Sequence, residues 1–453
     1  MVGAVEEVEG DPFRPAVRLA AEGLRAVAGK DFLLASSTAD SYGRLFGRDS
    51  LITSLQFLSA VRLDPSLAPL LLPPVERSLR ALASLQGVIV DPWTEEEPGK
   101  ILHEWSPGAE GDFPGAYYAS IDSTPLFLVT IHEYDAVCGM LQGDRTARRW
   151  ETGTEGRSPL LLELSEARDR ALQWLLNRAD LDGDGFLQFI QKNPEHRSLI
   201  NQNWKDSRDS ILRADGSTPA YPVAYAEVQG YCYRALCLES AARQETDPAR
   251  SAELLVRADR LARAFERRFW MPEASCYAQG LDAGKAQLGD VASNAFHWLW
   301  MGPVRPRRFR SVASRLLAAD MMTPFGLRTL SAASPNYAPL RYHRGSIWPW
   351  DNWVTATALR RLRMDRQAES VDRAILKAVL LLGCPAEMYA YRDGDALPAV
   401  QFQDFWGRRT LACRVQAWTV GYLIEMLARH GLGGELVAAA AALRPTIEER
   451  AIP

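Results

Sequence analysis

The stretch Leu51–Leu63, LITSLQFLSAVRL, repeats apolar side chains at steps of three and four residues. This spacing lines them along one face of an α-helix, whereas a strand would alternate every second residue. Twelve further segments share the period, and most are longer than ten residues. They are Ala16–Val27, Val75–Leu85, Pro125–Met140, Leu160–Leu176, Val223–Ala242, Ala252–Phe269, Asp290–Trp300, Phe309–Leu317, Ser346–Leu362, Ala368–Leu382, Arg414–Arg429 and Glu435–Leu443. The sequence therefore predicts an all-α protein.

Strand-like alternation is weak and local, in Gly185–Ile190, Glu387–Tyr391 and Val400–Phe405. No Pro/Ser tract or low-complexity linker divides the chain, so we expect one domain over residues 1–453, with residues 1–12 as a disordered tail. Six helical hairpins contain twelve helices, which is close to the number of helical segments. A toroid of two concentric helix rings therefore fits the pattern.

Composition excludes several classes of protein. Of 453 residues, 47% are hydrophobic and 24% charged, as in ordinary globular proteins, and the net charge of −4 implies no basic face for nucleic acid. The acidic first residues do not resemble a secretory signal, and the most apolar run, Leu67–Val75, is too short to span a bilayer. Six scattered cysteines form no CxxC pair. We expect a cytoplasmic protein without membrane or nucleic-acid partners.

Three stretches between helices are too long for simple turns: Asp91–Asp122, Asp180–Tyr221 and Tyr337–Ser346. Loops of this length inside a compact domain are usually functional. They hold or adjoin many of the tryptophans, namely Trp93, Trp105, Trp204, Trp348 and Trp350. Each Trp could simply anchor its loop to the core. Together with nearby charged residues, however, flat amphipathic rings suit a polyhydroxylated ligand.

Three short segments carry side chains suited to such a ligand. Arg48 and Asp49 follow Gly47 at a helix start, where a guanidinium and a carboxylate can bind vicinal hydroxyls or simply cap the helix. Asp206 lies close to Trp204, and an indole that excludes water raises the pKa of a carboxyl towards that of a general acid. The alternative is a helix cap. Glu387 is a lone carboxylate in an apolar run, either functional or facing water from an edge strand.

Weaker candidates are charged or aromatic residues whose ordinary explanation is solvation, capping or core packing. They are Glu104 in a charged loop, Glu227 and Gln229 within a helix, and His343, Trp348 and Trp350 at the start of another. The run Asp180-Leu181-Asp182-Gly183-Asp184 matches the beginning of a calcium loop but lacks its closing acid, since the twelfth position is Gln191. A solvent-facing turn is the favoured interpretation, and calcium stays open. No zinc or nucleotide motif occurs, so we expect neither metal nor cofactor.

Seven motifs in order resemble one family, the bacterial amylo-α-1,6-glucosidase (glycogen-debranching glucosidase) domain. They are FGRDSLIT at 46–53, EPGKILHE at 97–104, NWKDS at 203–207, EVQGY at 227–231, YHRGSIWP at 342–349, PAE at 385–387 and QAW at 416–418. The resemblance covers Arg44 to Trp418. The Arg-Asp pair is also similar to that of glucoamylases, and the spacing of Glu387 to the 416–418 motif resembles the trehalase and processing-glucosidase families.

This resemblance implies an (α/α)6 barrel that hydrolyses an α-glycosidic bond with inversion. It makes Asp206 the general acid, although Asp209 stays open for that role, and Glu387 the general base. The implied sugar contacts are Arg48, Asp49, Glu104, Trp204, Glu227, Gln229, His343, Trp348 and Trp350. The family's enzymes carry an N-terminal β-rich domain for which there is no room before Arg44, which favours a small glycoside over glycogen as substrate.

Several alternatives stay open. The substrate could be an α-glucoside, trehalose, or a glucosyl- or mannosyl-glycerate, and basic residues such as Lys100, Lys205, Arg208 and Arg344 leave an acidic aglycone possible. Glucose and mannose are not distinguished. Two other classes share the toroid: a sugar 2-epimerase, which needs histidines as acid and base, and a non-catalytic carbohydrate-binding protein, which would lack one carboxylate.

Overall fold

The structure is a computed structural model that describes residues 11–106, 115–143, 158–193 and 198–443, and fourteen α-helices lie within these ranges. In chain order they are α1 (Ala16–Val27), α2 (Gly47–Leu63), α3 (Ala68–Ser84), α4 (Ser123–Leu141), α5 (Pro159–Glu163), α6 (Ser165–Asn177), α7 (Ala226–Arg243), α8 (Pro248–Arg268), α9 (Asn294–Met301), α10 (Pro306–Leu316), α11 (Pro349–Arg361), α12 (Asp365–Leu382), α13 (Ala417–Arg429) and α14 (Gly433–Ala442).

Six of these helices form a closed inner ring. Helix α2 packs against α4, and contacts then pass through α7, α9, α11 and α13 and return from α13 to α2. Outer helices alternate with them along the chain: α3, α6, α8, α10 and α12 pack on the inner ring, and α1 packs on α13. This alternation is the (α/α)6 barrel, so the predicted fold class is confirmed.

Burial separates the two rings. Inner helix α4 is buried on all sides from Ser123 to Tyr134, because it has neighbours outside it and across the barrel. Outer helix α8 buries only one stripe, with Leu254, Ala258, Leu261 and Phe265 at steps of four and three residues. A one-sided apolar period in the sequence therefore indicates an outer helix, and a continuously apolar segment indicates an inner helix.

The inner helices begin at the same end of the barrel. Arg48 at the start of α2 bonds Asp122 just before α4, and Gln416 just before α13 bonds Asp49. On the other side, Asn294 at the start of α9 bonds Glu227 at the start of α7. The loops that precede the inner helices therefore meet at one face of the ring.

These loops contain short antiparallel strands of two or three residues within the described ranges. They are β1 (Leu45–Phe46), β2 (Glu104–Ser106), β3 (Gly115–Tyr117), β4 (Ala224–Tyr225), β5 (Trp270–Met271), β6 (Cys276–Tyr277), β7 (Gly280–Leu281), β8 (Gln287–Leu288), β9 (Met322–Thr323), β10 (Gly326–Leu327), β11 (Gln401–Gln403) and β12 (Arg409–Leu411). The sheets run β1-β2-β3, β4-β7-β8, β5-β6, β9-β10 and β11-β12. In the first, Leu45 pairs with Trp105 and Glu104 with Tyr117, which ties β1 and α2 to the 91–122 loop.

Four predicted elements differ from the structure. The segment Leu160–Leu176 is two helices, α5 and α6, because the chain breaks at Leu164 without interrupting the apolar period. Helix α3 starts earlier than Val75, since Pro69 occupies the first turn, where its missing N–H is not needed, and two further prolines are tolerated inside the helix.

Two segments with strand-like alternation form isolated bridges instead of strands. Gly185–Ile190 has one, from Phe189 to Val223, and Glu387–Tyr391 has two, from Tyr389 to Ile347 and from Ala390 to Ala399.

Residues 1–10 of the predicted disordered tail lie outside the described residues, and Asp11 and Pro12 form a turn before α1. None of the helices in the described ranges combines the length and the hydropathy that a bilayer crossing would require. All six cysteines are free thiols.

Candidate active site

A cavity of about 270 Å³ opens where the inner helices begin. Its wall comes from the 40–48 segment, β2 and β3, the long loops, and the starts of α2, α11 and α13. The lining residues are Tyr42, Arg44, Phe46, Arg48, Asp49, His103, Glu104, Ser106, Tyr117, Leu199, Trp204, Asp206, Tyr342, His343, Trp348, Glu387, Gln416 and Trp418. Eight of the residues predicted for the site, Arg48, Asp49, Glu104, Trp204, Asp206, His343, Trp348 and Glu387, are thus brought together.

The start of α2 is fixed by a close backbone approach at Gly47. Its N–H donates to the carbonyl of His103 at 2.8 Å. A Cβ at this position would lie 2.2 Å from the carbonyl oxygen of Leu102 and 2.8 Å from the hydroxyl of Ser123. Only glycine therefore allows α2 to begin against the 91–122 loop, and this contact aims the next two side chains into the cavity.

Arg48 joins two acidic groups through its guanidinium. One terminal nitrogen donates to Asp122 Oδ2 at 2.9 Å and the other to Asp206 Oδ2 at 2.8 Å. Burial raises the pKa of Asp206 to about 6, although the Arg48 charge opposes the shift. Asp206 thus retains a proton to higher pH than an ordinary aspartate while Arg48 holds it in one orientation.

Asp49 is a second carboxyl with a raised pKa. It is 4% exposed, and its Oδ1 accepts a hydrogen bond from Gln416 Nε2 at 2.8 Å. Burial raises the pKa of Asp49 to about 7, against the opposing charge of Arg48. In its protonated form such a carboxyl can donate to a hydroxyl as well as accept from one, which suits a sugar.

Glu387 lies in the same cavity and is only 3% exposed. Its Oε1 accepts a hydrogen bond from the Tyr342 hydroxyl, and its Oε2 accepts the backbone N–H of Cys413 at 3.1 Å. Burial raises the pKa of Glu387 to about 7, and these hydrogen bonds oppose the rise. The alternative of an edge strand with Glu387 facing water is wrong, because the side chain is buried.

An aromatic wall stands beside the carboxyl groups. His343 stacks on Trp348 with ring centroids 4.9 Å apart, and the edge of Trp204 meets both rings. Ser207 bonds His343 Nδ1 at 2.8 Å, while burial and the charge of Lys205 lower the pKa of His343 well below its ordinary value. Within the described part of the chain, Trp204 Nε1 and His343 Nε2 have no hydrogen-bond partner.

Three residues predicted as sugar contacts lie behind this wall instead of lining the cavity. Glu227 accepts amide hydrogens from Asn203 at 2.6 Å and Asn294 at 2.9 Å. Gln229 is bonded to the backbone of Leu187 in the 180–221 loop and to the carbonyl of Tyr225 in β4. Trp350 packs edge-on against Trp204 at 5.0 Å. All three are fully buried, so they hold the loop that carries Trp204 and Asp206.

The other candidate acid and the basic residues named from the sequence are also outside the cavity lining. Asp209 pairs with Arg344 at 3.2 Å. Lys205 is buried under the wall, where it donates to Asn294 Oδ1 at 2.6 Å and to the Thr329 carbonyl at 2.9 Å. Burial lowers the pKa of Lys205 to about 8. The lining guanidiniums are those of Arg44 and Arg48.

Sequence reasoning did not single out several lining residues. Tyr42 and Arg44 immediately precede the Gly47-Arg48-Asp49 motif, and Arg44 pairs with Glu104 at 2.8 Å. Their position beside that motif could have identified them. Nothing in the sequence marks Ser106, Tyr117 and Leu199, because strand pairing and loop packing bring them to the cavity.

The Asp180-Asp182-Asp184 cluster is internally satisfied. Asp180 accepts backbone N–H groups from Gly183 at 2.8 Å and Gly185 at 2.9 Å, as in a tight turn. The ammonium of Lys285 contacts both Asp182 and Asp184. One lysine therefore already supplies a positive charge where a calcium ion would lie, which supports the solvent-facing turn.

The family match identifies the chain as a glycoside hydrolase. The chain belongs to the family described as the mannosylglycerate hydrolase MGH1-like glycoside hydrolase domain, which it matches over residues 144–403. The resemblance to amylo-α-1,6-glucosidases is therefore supported at the level of a glycoside hydrolase family. A comparison with curated proteins finds no match.

Solved structures agree on the fold. GH63 mannosylglycerate hydrolase from Thermus thermophilus, in complex with Tris and D-glycerate, is 16% identical with a TM-score of 0.63, covering 90% of this chain and 99% of that one. The same enzyme in complex with glucose is 16% identical with a TM-score of 0.61, covering 90% of this chain and 98% of that one. A protein described as a wild-type glycosidase is 12% identical with a TM-score of 0.56, covering 93% and 97%.

Proposed function

We propose that this protein hydrolyses the α-glycosidic bond of a small glycosyl-glycerate, with inversion at the anomeric carbon. The observation that carries the proposal is the meeting of Asp206 and Glu387, 181 positions apart in the chain, in one buried cavity of sugar size. The family match supports a glycerate aglycone.

In this proposal Asp206 is the general acid and Glu387 the general base. The proton of Asp206 passes to the glycosidic oxygen, and Glu387 takes a proton from a water that attacks the anomeric carbon from the opposite face. Inverting enzymes need roughly 6.5–9.5 Å between the two carboxyl groups to admit that water. Arg48 positions the acid and Tyr342 the base, so each carboxyl is held by a different partner.

The size of the cavity supports a small substrate, and one guanidinium in its wall supports an acidic one. A volume of about 270 Å³ is near the lower end of the roughly 300–1,000 Å³ typical of ligand pockets, which suits one sugar and a short aglycone. Arg44 lies in the wall with a third of its side chain exposed, beside Glu104. A guanidinium in that position suits the carboxylate of glycerate.

A second candidate is a small α-1,6-linked glucoside. It is favoured by the order of the seven motifs, which resembles the debranching glucosidases. Proton NMR on mannosylglycerate, glucosylglycerate, isomaltose, maltose and trehalose separates the candidates. We expect a glycosyl-glycerate to be cleaved fastest and the free sugar to appear first as the β-anomer. The α-anomer first would contradict inversion, a new sugar isomer would indicate an epimerase, and an unchanged panel would indicate a binding protein.

The acid and base assignment predicts the effect of two isosteric variants. Asp206→Asn and Glu387→Gln should each lower kcat by about 10²–10⁴-fold, because each removes one proton-transfer partner. Asp209→Asn is the matched control, since Asp209 is also an acid of this loop but pairs with Arg344 outside the cavity lining. If Asp209→Asn loses activity while Asp206→Asn keeps it, Asp209 and not Asp206 is the general acid.

A further inference from the structure

A second cavity, of about 530 Å³, lies at the opposite end of the barrel, where the inner helices end. Its lining comes from α2, α4, α7, α9 and α11, so five of the six inner helices contribute to it, as they would to a site on the barrel axis. The charged and aromatic members of this lining are Arg62, Glu133, Arg234, Trp300, Trp353 and Arg361.

A buried layer of rings separates the two cavities. Trp204 of the first cavity stacks on His297 at 5.9 Å, Tyr231 follows at 6.0 Å, and Trp300 of the second cavity meets Tyr231 at 6.0 Å. His297 and Tyr231 are fully buried and bonded to each other at 2.6 Å. The second cavity is therefore distinct from the candidate active site.

Charge in this second cavity is unbalanced. Its lining holds three arginines and one acid, Glu133. Arg62 and Arg234 both pair with Glu133. Arg361 donates to the carbonyls of Leu299, Trp300 and Gly302, and among the residues that the structure describes it forms no ion pair.

Capping of a helix end explains part of this arrangement. The carbonyls bonded by Arg361 lie at the C-terminus of α9, where the helix dipole favours a cation. A partial charge of roughly half a unit at a helix end does not balance the full charge of the Arg361 guanidinium. Burial, with the nearby Arg234 charge, lowers the pKa of Arg361 to about 10, so this guanidinium lacks full compensation.

The remaining lining suits the organic part of a ligand. Trp300 and Trp353 meet edge to face at 5.0 Å and present aromatic surface to the cavity. Thr357 also lines the cavity, four residues before Arg361 on α11. From the three guanidiniums and the indoles that line one cavity, we infer a second binding site for a small organic anion that carries a phosphate or carboxylate group.

The inference is tested by titrating the protein with anions and by placing a negative charge in this cavity. Neutral glucose, which suits the candidate active site, serves as the reference for that site. Calorimetric titration of the wild-type protein with inorganic phosphate, glucose 6-phosphate and gluconate should show binding of one or more of these three anions at the second cavity. Thr357→Asp should weaken that binding by about tenfold or more through like-charge repulsion, whereas the uncharged match, Thr357→Asn, should preserve it. Tighter binding of the two phosphates would indicate a site for a phosphate group, and tighter binding of gluconate would indicate a site for a carboxylate group.

Two results would overturn the inference: absence of anion binding by the wild-type protein, or equal binding by Thr357→Asp and Thr357→Asn, which would place the anion elsewhere. If Thr357→Asp does not fold, Arg361→Gln serves instead, with Arg361→Lys as the charge-preserving match and Arg260→Gln, on the exposed face of α8, as the surface control. We expect Arg361→Gln alone to lose affinity, by about tenfold.

Discussion

At the scale of single residues, the cavity concentrates carboxyl groups that resist ionisation. Burial raises the pKa of Asp206 to about 6 and those of Asp49 and Glu387 to about 7. Each shift is opposed by a fixed partner, such as Arg48 on Asp206 and Tyr342 on Glu387. The site thus keeps protons on side chains that would lose them in water, as acid–base catalysis near neutral pH requires.

The first prediction concerns pH. Asp206 and Glu387 interact, since the Asp206 charge contributes to the raised pKa of Glu387, so they titrate as a pair. Turnover requires the singly protonated form in which Asp206 carries the proton and Glu387 is ionised. Because the pKa of Glu387 is the higher of the two, this is the less populated of the two singly protonated forms, and its fraction is largest between the two pKa values. We expect kcat/KM to be bell-shaped, falling below about pH 6 as both carboxyls become protonated and above about pH 7 as both lose their protons. A profile that is flat between about pH 5 and pH 8 would contradict the assignment.

A second prediction concerns stability. Because the folded protein holds a proton on Glu387 up to about pH 7, whereas an unfolded glutamate releases it near pH 4.3, wild-type stability falls as the pH rises between these values. Glu387→Gln removes this titration. The difference in unfolding free energy, variant minus wild type, should therefore increase by about 3 kcal/mol between about pH 4 and pH 8.

Urea unfolding at several pH values measures this difference. The exposed Glu273→Gln is the control, and its difference from wild type should not show the increase. A Glu387→Gln difference that stays constant with pH would show that the carboxyl does not hold its proton in the folded state.

At the scale of elements, the start of α2 decides the geometry of the cavity. Gly47 places α2 against the 91–122 loop, and β1 just before it pairs with β2 of that loop. The sequence placed Arg48 and Asp49 after Gly47 at a helix start, and α2 begins at Gly47 itself. Glycine is needed there because backbone from another loop occupies the space of a side chain.

Gly47→Ala should therefore disturb both stability and activity. Its Cβ would lie 2.2 Å from a backbone oxygen that cannot rotate away. We expect a loss of about 1–3 kcal/mol in unfolding free energy, as for overpacked sites, and about 100-fold in kcat through displacement of Arg48 and Asp49. Thermal unfolding and hydrolysis assays measure the two effects.

Gly434→Ala is the matched control for this variant, because nothing lies within 4 Å of the added methyl in α14. It should be neutral or stabilise by up to about 1 kcal/mol. If the two variants behave alike, the close approach at Gly47 has no special role.

At the scale of the whole molecule, the ring closes between the first and last helical pairs. Asp40 accepts the backbone N–H of Arg414 at 3.0 Å and of Val415 at 3.2 Å. Ala35 accepts the N–H of Ala417 at 2.8 Å at the start of α13. The segment before α2 is thereby fixed to the segment before α13, and Gln416 reaches Asp49 across this junction.

Asp40→Ala should weaken this closure. Two backbone donors lose their acceptor, so we expect a loss of about 1–3 kcal/mol in unfolding free energy. Because Gln416 lies beside the junction, kcat/KM should fall by about tenfold through misplacement of Asp49. The exposed Asp31→Ala controls for loss of charge and should change neither quantity. Equal effects of the two variants would exclude closure as the cause.

The sequence alone determined the all-α class, because its apolar segments are long and keep helical spacing or continuous apolarity, and their number is close to the twelve helices of two rings. It also identified the side chains with a reason to be functional: Asp206 beside an indole, Glu387 in an apolar run, and the Arg48–Asp49 pair. Such residues can be recognised from the sequence because burying an isolated charge in apolar surroundings costs free energy.

Only the tertiary structure decided which of these side chains meet. It placed Glu227, Gln229 and Trp350 one layer behind the cavity, although their motifs looked like the others, because helix rotation decides which side of the wall a residue occupies. It added Tyr42 and Arg44 through the pairing of β1 with β2. The second cavity was invisible in the sequence, since its lining comes from five helices spread over some 300 positions and joined only by closure of the ring.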